Sequence, residues 1–119
     1  MARIMLAEDD LTMVTLLKTL LGMEGYQVIA LSIDEDVVEA VRNDRPDVLL
    51  LDVHLPNANG LDVLDQIRKD DETKDLKVVM TSGLNLELEC KHHGANDFLL
   101  KPYMPDDLLK VLAQNLNHS

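Results

Sequence analysis

The sequence predicts an α/β chain, an open parallel sheet covered by helices, and three observations carry that prediction. Short apolar runs recur along the chain, several of them unbroken rather than alternating. Longer stretches of helical period separate them. Unbroken apolar strands are buried on both faces, which calls for helices above and below a parallel sheet. The third observation is length, since 119 residues make one domain, expected over 1–119.

The first strand is residues 4–7. Met13, Leu16, Leu17 and Leu20 then fall at i, i+3, i+4 and i+7, which predicts a helix with those four on its inner face. Gly22 and Gly25 close it. Residues 28–31 form the second strand. Ser32 and Glu35 have the spacing of a capping box and open a second helix through Val37, Val38 and Val41. Pro46 ends the connection to a third strand at 48–51. Gly60 precedes a third helix carrying Leu61, Leu64 and Ile67. A fourth strand at 77–80 leads to a helix expected from about 84 to 93, closed by Gly94 and carrying a partly buried Cys90. Residues 98–100 are the last strand. Pro105 opens the last helix, with Asp106 and Asp107 at the positive end of its dipole and Leu108, Leu112 and Leu116 inward. Strand and helix alternate throughout, so the crossovers are right-handed.

Composition narrows the function. A net charge of −11 repels nucleic-acid phosphates and anionic membrane surfaces, so neither is an expected partner. Aromatics are 3% of the chain, so the core is aliphatic. A single cysteine excludes an internal disulfide and a Cys-rich zinc site, and fits a reducing, cytoplasmic setting. No apolar run approaches the ~20 residues of a membrane span. The opening residues are too short an apolar stretch for a signal peptide, so a soluble mature chain is expected.

In open parallel sheets the site lies outside the carboxyl ends of the strands. Glu8, Asp9 and Asp10 follow the first strand, and Asp52 follows the third. Thr81 and Ser82 follow the fourth, and Lys101 with Pro102 follows the fifth. Three carboxylates, a lysine and one or two hydroxyls should therefore share one pocket, with Asp10 turned away as a helix cap. Like charges held close raise one another's pKa, and a hard divalent ion with oxygen ligands relieves this. Mg²⁺ suits such a set, and a metal beside a free carboxylate can hold a phosphoryl group through its oxygens.

These pieces together resemble the receiver domain of bacterial two-component response regulators, over essentially the full length. The residues that carry the resemblance are Ile4-Met5-Leu6-Ala7-Glu8-Asp9-Asp10, Val48-Leu49-Leu50-Leu51-Asp52-Val53-His54-Leu55-Pro56 and Gly60-Leu61-Asp62-Val63-Leu64. Val79-Met80-Thr81-Ser82-Gly83 and Gly94-Ala95-Asn96-Asp97-Phe98-Leu99-Leu100-Lys101-Pro102-Tyr103 complete them. The resemblance implies a flavodoxin-like, doubly wound (βα)5 fold with strand order 2-1-3-4-5. It implies Asp52 as phosphoacceptor, and Glu8, Asp9, Asp52 and the His54 carbonyl around Mg²⁺. Thr81 would bind a phosphoryl oxygen and Lys101 would pair with it, helped by a cis Lys101–Pro102 bond. Phe98 would turn inward as Thr81 moves, altering the face of helix four, strand five and helix five.

The implied role is a signalling switch, not a turnover enzyme. A sensor histidine kinase or phosphotransfer protein would donate the phosphoryl group, docking beside Leu11 and Val14. A downstream effector would read the result, and Leu109 with Val111 offers a homodimer or effector face. The competing reading is a receiver-like interaction module that never takes phosphate. The interval from Thr81 to Gly94 is short for the family, so a brief fourth helix is expected.

Overall fold

The computed structural model describes residues 1–116. Five strands, β1 (Arg3–Ala7), β2 (Gln27–Ala30), β3 (Val48–Asp52), β4 (Lys77–Ser82) and β5 (Asp97–Leu100), form one parallel sheet in the order β2-β1-β3-β4-β5. Helices α1 (Leu11–Met23), α2 (Val37–Asp44), α3 (Gly60–Lys69), α4 (Glu87–His92) and α5 (Pro105–Leu116) alternate with them. The doubly wound order expected from the sequence is present. Among the described residues no helix is long and apolar enough to cross a membrane.

The two-residue period of the strands sorts the apolar runs onto two faces. Met5, Leu49, Leu51, Val78 and Met80 point to one side, where α2, α3 and α4 cover them with Val38, Leu64, Ile67 and Cys90. Ile4, Leu6, Val48, Leu50 and Val79 point to the other, under Leu17 and Leu21 of α1 and Leu108 and Leu112 of α5. Both faces are dry, so the runs read as continuous rather than alternating.

Local details differ from expectation at four places. Leu16 is 62% exposed, and Leu17 and Leu21 are the buried residues of α1 instead. The helix axis puts Leu16 on the flank, and the sequence holds one leucine more than the inner stripe needs. The capping box at Ser32 is half formed. Glu35 Oε1 accepts the Ser32 N–H at 3.1 Å, but Glu35 N–H bonds back to the Ser32 carbonyl in a turn. Asp36 therefore caps α2, accepting from Glu39 N–H at 3.1 Å. Helix α4 has only six residues and no side-chain cap. Cys90 is fully buried rather than partly so, and burial pushes its thiol pKa up, which leaves it unreactive.

Local features mark the two ends of the sheet. Asp10 caps α1 as expected, accepting from Thr12 and Met13 N–H. The Lys101–Pro102 peptide is cis. The Arg68 guanidinium donates to the carbonyls of Gly94, Lys74 and Leu76 and to Asn96 Oδ1, which ties α3 to the ends of the loops around β4 and β5.

Candidate functional site

Parallel strands end on the same edge, so the last residues of β1, β3, β4 and β5 meet there. Asp52 ends β3 and is 5% exposed. Its neighbour across the ladder is Thr81, 2% exposed. Glu8 leaves β1 beside them. Carboxylate oxygens of Glu8, Asp9 and Asp52 lie within 4.8 Å of one another. Lys101, just past β5, brings its Nζ to 2.5 Å from Glu8 Oε1 and 2.7 Å from Asp52 Oδ2. Glu8, Asp9, Asp52 and Lys101 thus converge on one point, with Thr81 beside Asp52 in the ladder.

The remaining oxygens are held by backbone. Asp52 Oδ1 accepts the His54 N–H at 2.9 Å, and Glu8 Oε2 accepts the Asp10 N–H at 3.1 Å. Glu8 and Asp52 are fixed, while Asp9 stands exposed at the rim. Asp9, Val53, His54 and Asn59 line one depression there. The His54 ring is turned away from the carboxylates, with Nε2 3.0 Å from Ser82 Oγ.

The electrostatics follow from crowding. Burial pushes Glu8 above the ordinary carboxylate value, and the charge of Asp52 adds to this; Lys101 and the Asp10 N–H oppose it without prevailing. For Lys101, burial pulls the pKa down, but its bonds to Asp52 and Glu8 prevail and leave it raised. The ammonium is therefore firmly charged, standing in for part of the positive charge the carboxylates demand. Nearby Tyr103 is pushed up to about 12 by burial, with Lys101 pulling the other way.

The donor set fits Mg²⁺. Three carboxylates converge, one of them open to solvent, and a loop backbone passes beside it. A hard ion that keeps several waters needs just such a partly open cluster of oxygens. Among the described residues the cluster is all carboxylate, the oxygen donors a hard ion prefers over the nitrogen and sulfur of a structural zinc set.

This crowding gives a stability prediction. In Lys101→Met, Glu8 and Asp52 lose their cation, and the metal-free protein should lose about 2–3 kcal/mol at pH 7. The sign with pH is set by Glu8. An acid whose folded pKa is raised favours the fold below its unfolded value and opposes it as pH rises through the folded one. The variant should therefore regain stability as pH falls from 7 toward 5, and also on adding millimolar Mg²⁺. Thermal melts in chelator and in Mg²⁺ at both pH values check this. A variant as stable as the natural chain in chelator would show that solvent already screens the cluster.

Not all expected positions behave as the sequence suggests. Leu11 is 79% exposed next to the site, whereas Val14 is half-buried. Leu109 and Val111 are partly buried against the α1–α5 core, which leaves only part of each side chain at the surface of α5. Phe98 packs partly buried against the opposite core. Two contacts escaped sequence reasoning. Ser82 holds the His54 ring, a contact 28 residues apart that no local pattern announces. Gly60 lies against the backbone of Asp52, where a Cβ would come within 2.4 Å of its carbonyl oxygen. The pair Asn59-Gly60 was the available signal, an Asn cap followed by a residue without a side chain.

A profile of the response regulator receiver domain matches residues 4–113. Protein PilH of Pseudomonas aeruginosa is 34% identical over 115 residues, covering 94% of this chain and 95% of PilH. The transcriptional regulatory protein CpxR of Escherichia coli is 35% identical over 122 residues, covering 100% of this chain. The chain spans about half the length of CpxR (51%). Among solved structures, the receiver domain of sensor histidine kinase PA1611 from P. aeruginosa superposes with a TM-score of 0.87 at 25% identity, covering 98% of each chain. That crystal structure carries a magnesium ion coordinated in its active site cleft.

Proposed function

The chain belongs to the family of response regulator receiver domains, and from that premise we propose that it is a phosphorylation-controlled switch with Asp52 as the acceptor. The observation that supports this best is the bridge from Lys101 Nζ to both Glu8 and Asp52, with Asp9 beside them. A structural salt bridge needs one carboxylate. Two on one lysine with a third carboxylate beside them, at the open edge of a sheet, suit a site that receives a doubly charged group and a cation.

Asp52 Oδ attacks phosphorus and forms the new O–P bond, while the bond from phosphorus to the donor's nitrogen or oxygen breaks and the donor keeps its electron pair. Lys101 exchanges a carboxylate for a phosphoryl oxygen. The Thr81 hydroxyl donates to another phosphoryl oxygen, its strand position placing it next to Asp52. Glu8, Asp9, Asp52 and the His54 carbonyl would hold Mg²⁺. When bound, the ion supplies positive charge that offsets the phosphoryl oxygens. The PA1611 receiver supports this assignment. Movement of Thr81 would let Phe98 turn inward and reshape the α4–β5–α5 face.

Receiver domains are signalling switches rather than turnover enzymes. The donor for this one is a histidine kinase or histidine phosphotransfer protein, docking over exposed Leu11. The reader of the switch is an effector domain or protein, as in relatives such as CpxR that extend well beyond the matched half. Both partners place the chain in the cytoplasm.

Intact-mass analysis after incubation with acetyl phosphate tests this. A gain of one phosphoryl group in Mg²⁺, absent in chelator, is expected. No gain under either condition, with donor hydrolysis controlled, would favour an interaction module that works without phosphate.

A further inference from the structure

A hydrogen-bonded path joins Asp52 to the entrance of α4, and it runs through His54 and Ser82. The His54 backbone N–H donates to Asp52 Oδ1 at 2.9 Å. The His54 ring reaches Ser82 Oγ at 3.0 Å. Ser82 Oγ also accepts the Leu84 N–H at 3.0 Å, and the Ser82 carbonyl accepts the Lys101 N–H at 2.8 Å. Ser82 is fully buried and directly follows Thr81. His54 thus touches the acceptor with its backbone and, with its ring, the last residue of β4, whose hydroxyl holds the following loop at Leu84.

We propose that the His54–Ser82 hydrogen bond is a latch that holds the β4–α4 loop in its resting place and so opposes occupancy of Asp52. The inference rests on Asp52 being the phosphoacceptor. A group seated between Asp52 and Thr81 displaces Thr81, and Ser82 must follow its neighbour. The same group alters the carboxylate that receives the His54 N–H. Both ends of the latch are disturbed at once, and a hydrogen bond weakens steeply as its geometry departs from ideal. Past Ser82 the loop is lightly held. Gly83 has open space where a side chain would be, and the one side-chain contact at the start of α4 is long, Glu87 N–H to Asn85 Oδ1 at 3.4 Å. A contact made only in the resting form must lower affinity for whatever favours the other form.

The test uses beryllofluoride with Mg²⁺, a phosphoryl mimic that is not hydrolysed, titrated into the natural chain, His54→Phe, Ser82→Ala and the double variant. Amide NMR spectra follow binding. His54→Phe keeps the backbone N–H and carbonyl of position 54. Each single variant should bind about three- to ten-fold more tightly, the weight of one hydrogen bond. The double variant should bind no more tightly than Ser82→Ala, which already removes the His54 contact together with the Leu84 N–H bond. Before any beryllofluoride is added, the amides of Leu84 and α4 in the variants should already lie part-way toward their bound positions. Unchanged or weaker binding, additive effects, or α4 amides displaced off that line would overturn the latch. Failure of the natural chain itself to bind would instead overturn the phosphoacceptor reading beneath it.

Discussion

Asp52→Asn is expected to fold normally and to gain no phosphoryl group from acetyl phosphate where the natural chain gains one. The amide keeps the shape of the carboxylate and an oxygen for the His54 N–H, so the turn after β3 survives. It cannot serve as the nucleophile, because its nitrogen lone pair is delocalised and its oxygen carries no charge. Stability should hardly suffer. The substitution removes one of three crowded carboxylates, and Lys101 keeps Glu8 at 2.5 Å. Two measurements separate the outcomes. Intact mass should show labelling below detection, and the rise in melting temperature caused by Mg²⁺ should shrink to less than half its natural size, since a charged ligand has gone. Full labelling of the variant would move the acceptor to Asp9 or Glu8 and undo the assignment.

The sheet and its edge could be read from sequence because both depend on short-range pattern. Unbroken runs such as 48–51 announce burial on two faces, and parallel pairing then sends Glu8, Asp52, Thr81 and Lys101 to a common edge without further information. What escaped depends on tertiary packing. Leu16 sits within one helical step of the inner stripe, and only the final rotation of α1 decides that Leu17 and Leu21 go in and Leu16 stays out. Ser32 and Glu35 have the right spacing for a cap, but a turn at 32–35 passes the role to Asp36. The His54–Ser82 contact joins the turn after β3 to the end of β4, and no window along the chain contains it.

The largest structural effect should come from Gly60→Ala. In an exposed helix this change normally helps, by roughly 0.5–1 kcal/mol, because glycine has more freedom to lose. Here the sign reverses. Gly60 opens α3 and donates its N–H to the Val53 carbonyl at 2.7 Å. A Cβ would meet the Asp52 carbonyl oxygen at 2.4 Å and Val53 Cα at 2.7 Å. Both are backbone atoms at the end of a central strand, so no rotamer change relieves the contact. The start of α3 must lift away, stretching the Gly60–Val53 bond and pulling the turn that aims Asp52. The cost should be about 3 kcal/mol, at the upper end of overpacking penalties, or a fall in Tm of about 10 °C. Labelling from acetyl phosphate should slow at least about tenfold, because a 1 Å misplacement of a reacting group can cost as much as about 10²-fold in rate. Gly83→Ala is the control. It lies in the next loop with nothing within 4 Å of its missing Cβ, and should change Tm by less than about 2 °C, corresponding to the usual ±0.5 kcal/mol of a surface change. If Gly60→Ala matched this control in both stability and labelling, the close approach of α3 to β3 would not be what positions Asp52, and the turn at His54 would have to hold the carboxylate by itself.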